Sequence, residues 1–498
     1  MGVKMQRRRI IIFYLVIIAF LMLALNVNSI TNLTNKTEKP YDFPLIENYD
    51  ELKIIRPLCS VPVLVEKGKN IQVTFKTDKV DRIFACIKTS YEPIVDEIWL
   101  DVVTIFEKDS FWEATFLIPN ETPEELYNLT LIIEKNGLFY SSSTQRSVSV
   151  YDSFGDDFSF IHITDFHIGD PRGFLESIRE TIGYKSIKRC ISEINLIHPD
   201  FVIISGDLVF GQLYPFEYKI EYEKCYDMIQ LFDVPTFLVP GNHDGYRRIG
   251  EDGLKIWNEY FGPHYYSFDY GNYHFIGINS FDMPPILRLA ISFIALNWGG
   301  SLSYEQIDFI VNDLNKTDSN MTFMFLHHNP IWETNHDSLM GLRYKNREKL
   351  LDLIEQHSVN MVLAGHVHND TVETINDTIY ITTTTPESKI QDEDGYWGYR
   401  LIEIKDDKIF KYNYKEPKYS IPSYMLSAKF NDVFKATIKN DLESDLNILT
   451  KFVVPLGNYN VENGLISMKR ENNFRQEIYV KSDVSAESEL EVSLTPTR

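Results

Sequence analysis

The stretch Phe158-Ser159-Phe160-Ile161-His162-Ile163-Thr164-Asp165-Phe166-His167-Ile168-Gly169 decides how the rest of the chain is read. An apolar run from Phe158 to Ile163 ends in an aspartate and a histidine two positions apart. Side chains along a strand alternate between faces, so residues i and i+2 point the same way. Asp165 and His167 are therefore expected to leave the end of a buried strand together, a carboxylate and an imidazole aimed at one point. Unpaired charge buried there is costly, and a metal ion is the usual compensation.

Four further blocks repeat the arrangement in order. They are Ile203-Ile-Ser-Gly206-Asp207, Phe237-Leu-Val-Pro240-Gly241-Asn242-His243-Asp244, Leu326-His327-His328-Asn329-Pro330 and Leu363-Ala-Gly365-His366-Val-His368. Each follows directly on an apolar run. Counting His167, six of the 12 histidines in the chain fall in the five motifs. Apolar strands are expected at 158–164, 200–205, 235–239, 273–279, 321–327, 360–364, 378–384 and 399–404. Helical periodicity lies between them at 173–197, 216–232, 303–314 and 346–357. That alternation is the α/β signature, and binding loops of such sheets gather at the carboxyl ends of the strands.

With the motif order Asp-x-His, Gly-Asp, Gly-Asn-His-Asp, His, Gly-His-x-His complete, residues of about 155–410 resemble the calcineurin-like metallophosphoesterase family. The text Phe261-Gly-Pro-His-Tyr-Tyr-Ser-Phe-Asp269 also looks like the family. The resemblance implies an α/β four-layer sandwich holding two metal ions and hydrolysing phosphate esters. It implies one metal held by Asp165, His167 and His368, with Asp207 bridging to a second that Asn242, His366 and a histidine of the 327/328 pair complete. His328, which stands before Asn-Pro, is the expected ligand, and His327 is the alternative. His243 is implied as general acid or electrostatic clamp over the scissile phosphate, with Asp244 as the neighbour that orients it. Imidazole and carboxylate donors suit Mn, Fe, Zn or Co, and sequence does not choose among them. Two such ions activate a bridging water and clamp phosphoryl oxygens for in-line attack. Purple acid phosphatases share the fold but carry a tyrosine where this chain has Phe210, so a phenolate-bound ferric centre is not expected.

Outside this region the chain reads differently. At 498 residues it is too long for one core. A net charge of −22 argues against a nucleic-acid-binding role. Lys4 and Arg7-Arg8-Arg9 precede an uncharged apolar run to about Val27, expected to be a membrane anchor or a signal peptide over residues 10–28. The basic flank 1–9 then stays cytoplasmic and the remainder faces the exterior, with 29–55 a polar stalk. Short alternating runs mark all-β, immunoglobulin-like domains at 56–152 and 411–498. Sequons from Asn32 to Asn376 suit an exported chain, as does a pairing of Cys59 with Cys86, though four buried thiols are equally compatible. The apolar segment 284–298 is read as a core-packed insertion, with a lid or a membrane-dipping patch as alternatives. Arg247, Arg248 and Arg343 are read as solvated surface arginines, with pairing to a substrate phosphate as the alternative. The function these features support is an extracytoplasmic phosphomonoesterase or phosphodiesterase. A catalytically silent binding scaffold of the same fold and a pyrophosphate-bond hydrolase are the alternatives.

Overall fold

The computed structural model describes residues 45–89, 97–170, 182–211, 217–248, 250–294, 300–332, 344–386, 397–415, 419–471 and 474–497. The N-terminal apolar run lies outside them, and so does Arg343. Among the described residues no helix is long and apolar enough to cross a membrane.

Two six-stranded sheets form the centre. In the first, Phe158–Ile163 lies between Phe201–Ile204, to which it is parallel, and Gly398–Lys405, to which it is antiparallel. Thr236–Leu238 extends the parallel side. In the second, Tyr273–Gly277, Met321–Phe325, Met361–Ala364 and Thr378–Thr382 run parallel in that order. Antiparallel Tyr266–Tyr270 and Thr371–Ile375 close its edges. Phe201–Ile204, Met321–Phe325 and Met361–Ala364 are fully buried, mostly apolar runs, as strands covered on both faces must be.

The facing surfaces meet in an aromatic core that includes Phe160, Phe201, Phe275, Phe323 and Phe325. Phe160 stacks on Phe201 at 5.2 Å and meets Phe275 edge-on at 5.5 Å. Each such ring contributes about 1.5–3 kcal/mol by burial. Helices cover both outer faces. Ile182–Ile197 and Glu217–Ile229 pack Ile187, Ile191, Tyr218 and Tyr222 against Val202 and Ile204. Tyr304–Leu314 and Arg347–Gln356 pack Ile307, Ile310 and Leu350 against Ile276, Met324 and Val362. The layers are therefore helix, sheet, sheet, helix, and the carboxyl ends of all the parallel strands open on one edge.

On the N-terminal side, strands from Leu45–Ile46 to Leu138–Tyr151 form a nine-stranded sheet around Val73, Phe75, Leu100, Phe116 and Leu131. On the C-terminal side a four-stranded and a three-stranded antiparallel sheet pack together. All four cysteines are buried and none is in a disulfide, so Cys59 and Cys86 do not pair. The reason is placement: the Cys59 carbonyl accepts from Thr236 of the central domain (2.8 Å), whereas Cys86 sits mid-sheet between Trp99 and Thr130.

The apolar segment forms a helix, Pro285–Ile294. Arg288 is buried and grips both Asp252 oxygens (2.6 and 3.0 Å) and the Gly245 carbonyl (2.8 Å). Ser292 donates to the Arg247 carbonyl (2.6 Å). The helix is thus fastened to the loop after the Asn242-His243-Asp244 block, while Ile286 and Leu287 stay exposed.

Candidate functional site

Every motif block sits on the open edge. Asp165 and His167 lie beyond their strand, and strand alternation is not what brings them together. Both adopt left-handed backbone, with φ of 58° and 47°, as do Asp207 (54°), His366 (81°) and His368 (56°). Aspartate and histidine visit this region more readily than other non-glycine residues, at a cost of roughly 1–3 kcal/mol each. The turns are held by cross-loop bonds. Asp165 N–H donates to the Gly206 carbonyl (3.0 Å) and His167 N–H to the Asp207 carbonyl (2.9 Å). His366 N–H, from the opposite sheet, donates to Asp165 Oδ2 (2.9 Å). Gly365 permits this approach, because a Cβ there would lie 2.2 Å from Thr164 Oγ1.

The donors converge. His167 Nε2 and His368 Nε2 are 3.0 Å apart, and they lie 3.6 and 3.2 Å from Asp165 Oδ1. Asp207 Oδ2 is 3.6 Å from His167 Nε2 and 3.1 Å from His327 Nε2, between two donor groups. His327, His328 and His366 form a further set whose ligand atoms lie within 4.8 Å of one another. Both members of the 327/328 pair are therefore at the site. His327 Nδ1 donates to the Ser205 carbonyl (2.8 Å), which leaves Nε2 toward Asp207. His328 Nδ1 meets the Ser280 hydroxyl at 2.8 Å.

The residues suit transition metal ions. Asp165 Oδ1, Asn242 Oδ1 and His327 Nε2 are buried and make no hydrogen bond, a costly state that a cation relieves. Burial opposes ionisation of Asp207, yet His327 and His243 beside it hold its carboxyl below the usual range. Against its own burial, the imidazole of His327 is pushed up to about 9 by Asp207 and Asp165. The two carboxylates thus create a strong negative potential where the imidazoles gather. Asn242 is oriented by a residue the sequence reading did not single out: its Nδ2 donates to the Tyr246 hydroxyl (2.8 Å), turning Oδ1 away from that bond.

His243 stands at the rim, its ring 4.5 Å from that of His167. Its Nδ1 donates to the Phe210 carbonyl (2.6 Å), so Nε2 is the nitrogen that titrates, and burial lowers it to about 4. Asp244 has a different task from the one expected. It accepts from the N–H groups of Leu208 (3.0 Å), Val209 (3.2 Å) and Gly241 (2.8 Å), binding two motif loops together. Asn242–Gly245 is one helical turn, in which neighbouring side chains diverge, so Asp244 points inward where His243 points out. Arg248 makes no hydrogen bond through its buried Nε and Nη2, whereas Arg247 lies 3.9 Å from Asp252.

An α/β/β/α sandwich with an Asp, His and Asn cluster on one edge defines a metal-dependent phosphoester hydrolase. Residues 158–370 match the family model described as calcineurin-like phosphoesterase. Among relatives, a probable glycerophosphodiester phosphodiesterase of Arcobacter nitrofigilis is 29% identical over 234 residues, covering 46% of this chain and 79% of that one. A 3′,5′-cyclic-nucleotide phosphodiesterase of Nostoc is 23% identical over 273 residues, covering 53% and 94%. Among solved structures, a putative 5′-nucleotidase from Staphylococcus aureus is similar at a TM-score of 0.35 and 14% identity, covering 54% of each chain.

Proposed function

We propose that the chain hydrolyses a phosphodiester at a two-metal centre outside the cytoplasm, tethered by its N-terminal apolar segment. The observation that carries the chemistry is the convergence of Asp165, His167, Asp207, His327, His328, His366 and His368 into adjoining donor groups. In this reading Asp165, His167 and His368 hold one ion. Asp207 lies between the two, and Asn242, His366 and the 327/328 pair hold the other. When bound, such ions activate water and neutralise phosphoryl oxygens. The chain's own contribution is His243. The Phe210 carbonyl fixes its Nδ1 proton, and Nε2 is presented toward the cluster. A bound phosphate anion raises the affinity of Nε2 for a proton, which His243 then gives to the leaving oxygen.

Diester rather than monoester is favoured by the names of the relatives above, which are phosphodiesterases. Export is supported by the basic flank and apolar run before residue 28 and by the sequons. Immunoglobulin-like flanking domains belong to the same proposal. The test is hydrolysis of bis-p-nitrophenyl phosphate against p-nitrophenyl phosphate, with Mn²⁺ and after chelation. Turnover of the diester that is lost with EDTA and restored by metal is expected. Full activity in chelator would overturn the reading.

A further inference from the structure

Strand Thr378–Thr382 runs on into Thr383, Thr384 and Thr385, so four threonines follow one another, none of them exposed. Threonine suits strands, but four buried hydroxyls in a row fill a core poorly unless each finds a partner. Each does. Thr382 Oγ1 accepts from Asn329 Nδ2 (3.0 Å), and Thr383 Oγ1 lies 2.7 Å from Nδ1 of the buried His162. Thr384 Oγ1 donates to the His368 carbonyl (2.9 Å), and Thr385 Oγ1 donates to the Asp165 carbonyl (2.9 Å).

The last two acceptors are not ordinary peptides. They belong to Asp165 and His368, whose φ angles of 58° and 56° put both in the left-handed region. These residues also share one donor group with His167. Such conformations persist only where the surroundings over-determine them. Thr384 is itself anchored from behind. Its N–H donates to Asp370 Oδ1 (3.1 Å), and that buried carboxylate is held by Arg400 Nη2 (3.0 Å) and by the N–H and hydroxyl of Ser420 (both 2.6 Å). A rigid polar column thus runs from the back of the first sheet to two carbonyls of one donor group.

We propose that Thr384 and Thr385 are positioning residues for the Asp165, His167 and His368 donor group. Their hydroxyls fix the two left-handed peptides and so set the spacing of the ligands. The inference rests on the reading of the site as a two-metal centre. It predicts an asymmetric defect, because both bonds end on peptides of the Asp165, His167 and His368 group.

The test uses the full chain, stripped of metal and titrated with Co²⁺, followed by visible absorption and by metal analysis after desalting. The wild type is expected to take up two equivalents. Thr384→Val and Thr385→Val keep the shape and remove the hydroxyl, and each is expected to weaken one Co²⁺ site about 10–100-fold while sparing the other. Thr385→Ser is expected to restore it. Thr450→Val is the control, since Thr450 is equally buried and its hydroxyl makes no hydrogen bond in the structure. Melting in EDTA reports any general loss of stability separately. Unchanged uptake in both variants, or both sites weakened in step with the melting temperature, would overturn the assignment. A wild type that binds fewer than two ions would sink the two-metal reading and this inference with it.

Discussion

His243 and Asp244 are neighbours in the chain with separate work, and substitutions should separate them. The His243 ring is bonded through Nδ1 to the Phe210 carbonyl, and the bond to Asp207 Oδ1 (2.8 Å) comes from its backbone N–H, which alanine keeps, so His243→Ala is expected to lower kcat about 10²–10⁴-fold with metal content unchanged. Measuring bound metal alongside turnover checks this, and loss of metal in step with activity would make His243 a ligand instead. Asp244→Asn sets an amide NH2 against one of three backbone N–H groups, at a cost of about 1–3 kcal/mol. Its activity should fall only as far as its folded fraction falls, as urea titration and turnover on the same sample would show.

At the scale of elements, the helix Glu217–Ile229 supports the motif loops from beneath. Tyr218 and Tyr222 donate to the carbonyls of His243 and Asp244, and Glu221 accepts from Gly211 N–H (2.8 Å). Burial pushes the Glu221 carboxyl up to about 8. An unfolded glutamate ionises near pH 4.3, so between that pH and about 8 the folded state holds a proton the unfolded state has lost. Stability contributed here therefore falls as pH rises through that window. Glu221→Gln is expected to flatten the fall, and urea unfolding at pH 5, 6.5 and 8 measures it; parallel curves for the two proteins would refute it. The helix Pro285–Ile294 depends on Arg288 in the same way. Arg288→Met removes the guanidinium from Asp252, which keeps only the Lys255 N–H (3.4 Å) as a hydrogen-bond donor, and from the Gly245 carbonyl, costing about 3 kcal/mol and freeing the loop after His243. Faster proteolysis within 245–294 is the expected readout, and an unchanged cleavage pattern would count against it.

At the scale of the molecule, the flanking domains are built into the phosphoesterase domain. Arg146, 1% exposed, reaches from the N-terminal sheet to the Ile229 carbonyl (2.7 Å), and the Tyr151 hydroxyl donates to that of Asp200 (3.0 Å). On the other side one hydrophobic cluster runs from Ile187, Ile191 and Ile194 into Ile438, Phe452 and Val480 of the C-terminal sheets. A shared core predicts shared unfolding. Calorimetry of the intact chain should show the C-terminal sandwich and the phosphoesterase domain melting in one transition, and two resolved transitions would contradict a common core.

The sequence by itself determined the central architecture and which strand ends carry the cluster. Buried parallel strands are written as continuous apolar runs, and each chemical residue stands just past the end of one, as at Ile204 and Asp207 or Ala364 and His366. Left-handed turns leave no such mark, because aspartate and histidine adopt them only when distant partners compensate. The convergence of Asp165 and His167, the inward turn of Asp244, the presence of both His327 and His328, and the use of Thr384 and Thr385 were therefore decided by tertiary structure alone. In each case the partner lies in another loop or on the opposite sheet, and hydrogen bonds across that distance depend on how the layers are packed.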